Sequence, residues 1–212
     1  MLHKLAGILL GTVLLLLSLG VARAASPAGT VVGLSGPCFV EGAGRRHPLT
    51  IGDALQVADT VEVPAGGKLK LRMHDGSVIA VAAGTRLTIA AYDVDASGQR
   101  REAKLALAVG LLRAVVAPVE RPARFEVETA VGTAAVRSTD WFVEAKPGSA
   151  QVGVLTGSVS LTSTATQRVV TIPARWGARL EAGRDPVPAR VWTSAEFAAV
   201  IARTDVQAGG GR

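Results

Sequence analysis

Apolar and polar positions alternate one for one in short runs along most of this chain, and glycine interrupts the runs. Lys68-Leu69-Lys70-Leu71-Arg72-Met73 alternates strictly. Successive side chains of an extended segment point to opposite faces, so its Leu and Met residues share one face and its cations the other. His74-Asp75-Gly76-Ser77 follows. Asp-Gly between two such runs predicts a hairpin turn, because Gly tolerates positive φ, with Ser77 to Ala82 as the return strand. Lys104 to Val109 and Leu111 to Val116 flank Gly110 in the same way. Arg124 to Thr129 alternates again and predicts that Phe125 and Val127 face inward. Trp141 to Ala145 ends at the turn Lys146-Pro147-Gly148, and Gln151 to Leu155 and Ser158 to Leu161 flank Thr156-Gly157 as another hairpin signal. Short strands at even spacing predict an all-β fold, an antiparallel sandwich or roll of many short strands.

The pattern changes near Arg184. Asp185-Pro186-Val187-Pro188 reads as a stiff, extended connector. Thr193-Ser194-Ala195-Glu196 has capping-box spacing, and Phe197, Val200 and Ile201 follow at helical spacing. One short C-terminal helix of about ten residues is expected, too short to be stable alone and therefore packed on the β body or a partner. The expected organisation is a signal peptide over 1–24, a β domain over 25–183, and a linker, short helix and loose tail over 184–212.

The first residues carry the targeting signal. Lys4 supplies a positive start, and Leu5 to Val21 is a 17-residue stretch without charge. Ala22-Arg23-Ala24 then places small residues for cleavage after Ala24. The expected location is the periplasm. With Lys4 and Arg23 gone and no acid lost, the +6 of the whole chain becomes +4. The remaining cations are dispersed, with Arg45-Arg46-His47 and Arg100-Arg101 the densest groups, both expected in loops. Aromatic residues are only 4% of the chain, too few to stack bases along a strand. Export and this dispersal speak against nucleic acid; weak attraction to an anionic envelope surface suits the charge better. Cys38, the single cysteine, can form no internal disulfide and reads as a small core residue within Cys38-Phe39-Val40.

Catalytic and metal chemistry find little to use. His74, Asp75 and Ser77 have the residue types of a relay but sit side by side on a hairpin, where turn chemistry is the expectation. Asp93-Val94-Asp95-Ala96-Ser97-Gly98 begins like a calcium loop, but Lys104 stands at its twelfth position, where a glutamate is needed. No catalytic residue, metal site or cofactor is expected. The most distinctive polar–aromatic group is Arg137, Thr139 and Trp141, which an extended backbone would place on one face with Asp140 on the other. With Trp192 they are the candidate partner-binding residues, since Trp and Arg dominate interface hot spots. The competing expectation for this group is a buried Trp with an Arg paired to a carboxylate.

Five motifs occur in order between about Gly29 and Leu180. They are Leu49-Thr50-Ile51-Gly52-Asp53; Asp59-Thr60-Val61-Glu62-Val63 with Ala65-Gly66-Gly67; Leu71 to Ser77; Phe125 to Thr129 with Val136 to Phe142; and Val154-Leu155-Thr156-Gly157-Ser158-Val159. Together they resemble the FecR domain family. Ser138 stands where the family has Gly, and Ala130 where it often has Pro. The resemblance implies a non-enzymatic binding or signal-relay module acting through protein contacts. It implies an envelope protein as partner, such as a membrane sensor or an outer-membrane transporter. Because only Met1 to Lys4 precede the apolar segment, the expectation is a stand-alone periplasmic FecR domain lacking the cytoplasmic anti-sigma region. The rival expectation is an envelope-associated structural or glycan-binding protein.

Overall fold

The structure is a computed structural model that describes residues 27–121 and 123–206. The signal-peptide reading and the residues after Val206 lie outside the described residues. Seventeen strands and one helix follow one another along the described chain. The first eight are β1 (Pro27–Ser35), β2 (Phe39–Gly42), β3 (Arg45–Pro48), β4 (Ala54–Gln56), β5 (Thr60–Val63), β6 (Lys68–Met73), β7 (Val78–Val81) and β8 (Thr85–Val94). Then comes β9 (Arg100–Val115), followed by β10 (Arg124–Glu128), β11 (Gly132–Val136), β12 (Asp140–Lys146), β13 (Ser149–Thr156) and β14 (Ser158–Ser163). The chain closes with β15 (Val169–Pro173), β16 (Trp176–Glu181), β17 (Arg190–Val191) and α1 (Ser194–Thr204).

The ladders sort these strands into two packed sheets. The first runs β4-β1-β6-β7-β9-β12-β13-β16-β17. The second runs β3-β2-β5-β8-β9-β10-β11-β14-β15. All pairings are antiparallel except β9 with β10, which is parallel. The expected all-β sandwich with one C-terminal helix is therefore the observed architecture, with a mixed second sheet. Alternation fills the layer between the sheets: Leu69, Leu71, Leu87, Ile89, Leu105, Phe125, Val127, Trp141 and Val152 are all fully buried. Phe125 and Val127 face inward as the pattern required. Cys38 is also in this core, with burial raising its thiol pKa.

One strand belongs to both sheets. Residues 100–109 of β9 pair with β8, and residues 110–115 pair with β7 and β12. The change of sheet falls at Gly110, whose φ is +106°. A Cβ there would also overlap Thr85, so the bend requires glycine twice over. Gly110 is thus not the hairpin turn its flanks suggested. The hairpin expected at Thr156-Gly157 is likewise a corner, which carries the chain from β13 in the first sheet to β14 in the second. Arg45-Arg46-His47 and Arg100-Arg101, expected in loops, lie in β3 and β9.

Helix α1 packs on the outer face of the first sheet. Thr193 and Glu196 form the predicted capping box. Phe197 and Val200 are buried as expected, but Thr204 replaces Ile201 as the third buried position, its hydroxyl donating to the Val200 carbonyl at 3.0 Å. The helix rests on Ala82, Leu111, Phe142 and Trp192. Phe142, Gly153 and Gly177 are register partners across β12, β13 and β16. A side chain on Gly153 would overlap the Phe142 ring, and one on Gly177 the Trp192 indole. The two glycines make a bare strip of sheet on which both rings lie.

Candidate interaction surface

The structure separates the four residues nominated from sequence. Residues 137–139 lie between β11 and β12, at a corner where the chain changes sheets, so they do not form one strand face. Trp141 is 0% exposed and Thr139 is 5% exposed, its hydroxyl donating to the Ser158 carbonyl at 3.2 Å. Trp192 is 7% exposed and stacks 5.2 Å from Phe142 and 5.5 Å from Phe197. These three residues hold the fold together and present no free surface. Arg137 alone remains exposed. Asp140 pairs with Arg113, which donates from both Nε at 2.9 Å and Nη2 at 2.7 Å. The competing expectation, a buried Trp beside an Arg–carboxylate pair, describes this corner, with Arg113 as the arginine.

A polar clamp that sequence reasoning missed is joined to that corner. Arg100 is 2% exposed and its guanidinium is paired with the Asp75 carboxylate, both side chains buried. Tyr92 donates to Asp75 at 2.7 Å, and the Ser77 hydroxyl donates to it at 2.8 Å. Burial, with the Asp75 charge adding to it, raises the Tyr92 pKa far above its ordinary value and keeps the phenol protonated. Arg100 also donates to the Arg137 carbonyl at 3.0 Å, and the Ala117 N–H donates to Ser77 Oγ at 3.0 Å. One carboxylate at the β6–β7 turn thereby ties together that turn, β8, β9 and the two corners at 117 and 137. Its cue in the sequence is an Asp-Gly-Ser turn, which carries no sign of a partner 25 residues on.

Arg137 stands on the rim of a concavity of about 520 Å³ on the outer face of the second sheet. Outward positions of β10, β11 and β14 line it, among them Arg124, Thr133, Ser158, Ser160 and Thr162. Alternation explains the lining, because Val159 and Leu161 between these hydroxyls point into the core. Arg124 is 81% exposed, with its nearest carboxylate oxygen on Glu126 at 3.8 Å.

The sheet edges differ in kind. In the first sheet, β4 and β17 are three and two residues long. In the second, β3 carries Arg45, Arg46 and His47 and ends in Pro48. Short strands, charge and proline are the usual devices that blunt an edge. The remaining edge, β15, reads Val169-Val170-Thr171-Ile172-Pro173. It pairs on one side with β14, and no ladder uses its other side among the described residues.

Residues 59–160 match the family model described as FecR protein, from the start of β5 into β14. This segment is a FecR domain. No curated protein matches the chain. Two crystal structures of a protein described as a "putative anti-sigma factor" from Parabacteroides distasonis share the fold, each with a TM-score of 0.55 at 17% identity. The match covers 66% of this chain and 63% and 62% of those chains, so this protein corresponds to somewhat under two thirds of their length. The first of the five sequence motifs, residues 49–53, lies before the matched FecR segment, and β15 to α1 lie after it. Ser138, in place of the family's Gly, is not among the residues with positive φ; Gly157 has it instead, at +84°, in the facing corner.

Proposed function

We propose that this chain is a non-enzymatic FecR module that is exported to the periplasm and relays a signal by contact with another envelope protein. The observation that carries the reading is the FecR match over residues 59–160, the segment that builds most of the second sheet and the strand shared by both. The family is regulatory, and the description of the structural neighbours as anti-sigma factors is in keeping with a relay role. The leader of Lys4, the uncharged stretch to Val21 and the small residues at 22–24 support export. The partner fitting this reading is a membrane sensor or an outer-membrane transporter. Export is tested by N-terminal sequencing of the protein from periplasm: a chain starting at Ala25 supports it, and an intact leader on cytoplasmic protein refutes it. Contact is tested by cross-linking the full protein in intact cells. Recovery of only uncross-linked protein refutes the relay reading.

A second reading rests on the concavity at Arg124 and Arg137. Its hydroxyls and two arginines, set against the single carboxylate of Glu126, suit a glycan, which would make the protein an envelope-associated binder. Retention on purified cell wall that falls as salt rises favours it, because exposed charges are screened. Retention that does not change with salt removes its electrostatic basis.

A further inference from the structure

We infer that β15 is a docking edge that takes an extended segment of the partner protein as an added strand, with an acidic side chain set beside Arg168. The inference rests on the protein-contact reading above and names the site of that contact. Ser163 donates to the Arg168 carbonyl at 2.9 Å, which fixes the phase of the β14–β15 ladder. Hydrogen-bonded positions alternate along an antiparallel pair, so Val170 and Ile172 direct their N–H and C=O groups to β14. Val169 and Thr171 direct theirs outward, and Pro173 adds an outward carbonyl. No hydrogen bond to those outward groups occurs among the described residues. An added strand satisfies them, and main-chain bonds of this kind supply affinity with little demand on sequence.

Side chains define what such a strand must carry. Val169 is 59% exposed, and Trp176, reached from β15 by a two-residue corner, is 36% exposed. Val191, the register partner of Trp176, is 60% exposed. Val169, on the edge itself, asks for an apolar side chain on the incoming segment. Arg168, just before β15, is 76% exposed; its Nε makes a long ion pair with Asp185 at 3.9 Å, and a guanidinium this exposed has room for a second acid. A second copy of this chain is a poor occupant. Two-fold pairing centred on Thr171 would set each Pro173, which has no N–H, opposite a Val169 carbonyl that needs a donor. β15 lies after the segment that the FecR model matches.

The experiment places a benzophenone-bearing amino acid at position 169, and in a control at position 47 on β3, in the full chain in cells. Mass spectrometry then identifies the cross-linked segment. The expected result is an adduct at 169 but not at 47, to a segment of alternating apolar residues ending in Asp or Glu. That segment, made as a synthetic peptide, is expected to bind the purified protein and to lose at least tenfold in affinity to Thr171→Pro and to Arg168→Glu. Proline is tolerated on an edge whose N–H faces solvent, so Thr171→Pro keeps the β14 ladder. Arg168→Glu keeps the backbone and serves if the proline variant fails to fold. An adduct to a second copy of this chain, or peptide binding unchanged by both substitutions, overturns the inference. Cross-linking that recovers a partner through other surfaces but not through 169 overturns the docking edge and leaves the relay reading intact. Failure to recover a protein partner through any surface overturns both.

Discussion

Replacing Arg100 by methionine tests whether the buried clamp holds the corners of the sandwich. Methionine keeps most of the side-chain length and removes the charge. Asp75 would then be a buried carboxylate without its cation, still hydrogen-bonded by Tyr92 and Ser77 at 2.7 and 2.8 Å. Removing one partner of a buried pair costs about 3–5 kcal/mol, because the other charge is left uncompensated. The carbonyls of Ala117 and Arg137 lose a donor as well. In a chain of this size that loss lowers the melting temperature by about 10 °C. Urea unfolding followed by tryptophan fluorescence measures it, and Trp141 in the core is a suitable reporter. The double variant Arg100→Met with Asp75→Asn removes both charges and is expected to be more stable than Arg100→Met alone. A loss under about 1 kcal/mol for Arg100→Met, of the size expected for an exposed pair, would refute the clamp. So would strict additivity of the two substitutions, since groups in one network couple.

Three further outcomes concern the helix. Phe197→Ala removes its deepest ring, and truncating a buried Phe typically costs about 3–5 kcal/mol. Here the cost is capped by the helix's docking energy, so the variant should be cut by protease within residues 183–193 much faster while the β body melts near its original temperature; equal slow cleavage would contradict this. Gly177→Ala forces a methyl group against the Trp192 indole, and overpacking of this kind costs about 1–3 kcal/mol. Its near-ultraviolet circular dichroism should lose the Trp192 signal, and an unchanged spectrum would show that the ring has room. Acid should loosen the same element. The Arg190 guanidinium and the Thr193 N–H lower the Glu196 pKa to about 2. Its folded value is below its unfolded one, so its contribution is complete above about pH 4.5 and is lost as pH falls toward 2. Helix protection measured by hydrogen exchange should decline across that window in the wild type and not in Glu196→Gln.

Where local chemistry sufficed, the sequence was a good guide. Lys68 to Met73 alternates because one face of β6 is core and the other is not. Thr193 and Glu196 satisfy backbone groups within a few residues of themselves. Gly110 and Gly157 were harder to read. A glycine with positive φ between two apolar runs serves a hairpin or a change of sheet equally well, and the outcome depends on which distant strands pair next. Arg100 was illegible for a related reason. Next to Arg101 it looks like a solvated pair, and its burial follows from Asp75, brought to it only when β6, β7 and β9 assemble. Arg137, Thr139 and Trp141 were placed on one face by assuming an unbroken strand. The corner before Asp140 separates the exposed Arg137 from the buried Trp141.

The unequal treatment of the two sheets links fold to function. The FecR segment contains β9, so it fixes both sheets relative to each other through one strand bent at Gly110. The chain after that segment then treats the sheets differently. It covers the outer face of the first with α1 and reduces its edge to a two-residue strand. Lys68 Nζ secures the helix by donating to the Ala202 and Asp205 carbonyls at 2.8 and 3.0 Å, which satisfies groups that a helix end otherwise leaves open. It adds β15 to the second sheet and leaves that edge five residues long and apolar. Proteins ordinarily blunt such an edge, because it recruits other strands. Among the described residues β3, β4 and β17 follow that rule by charge or shortness, whereas β15 is blunted only by its terminal Pro173. β15 follows the matched segment, and its free side is where a partner's strand would add.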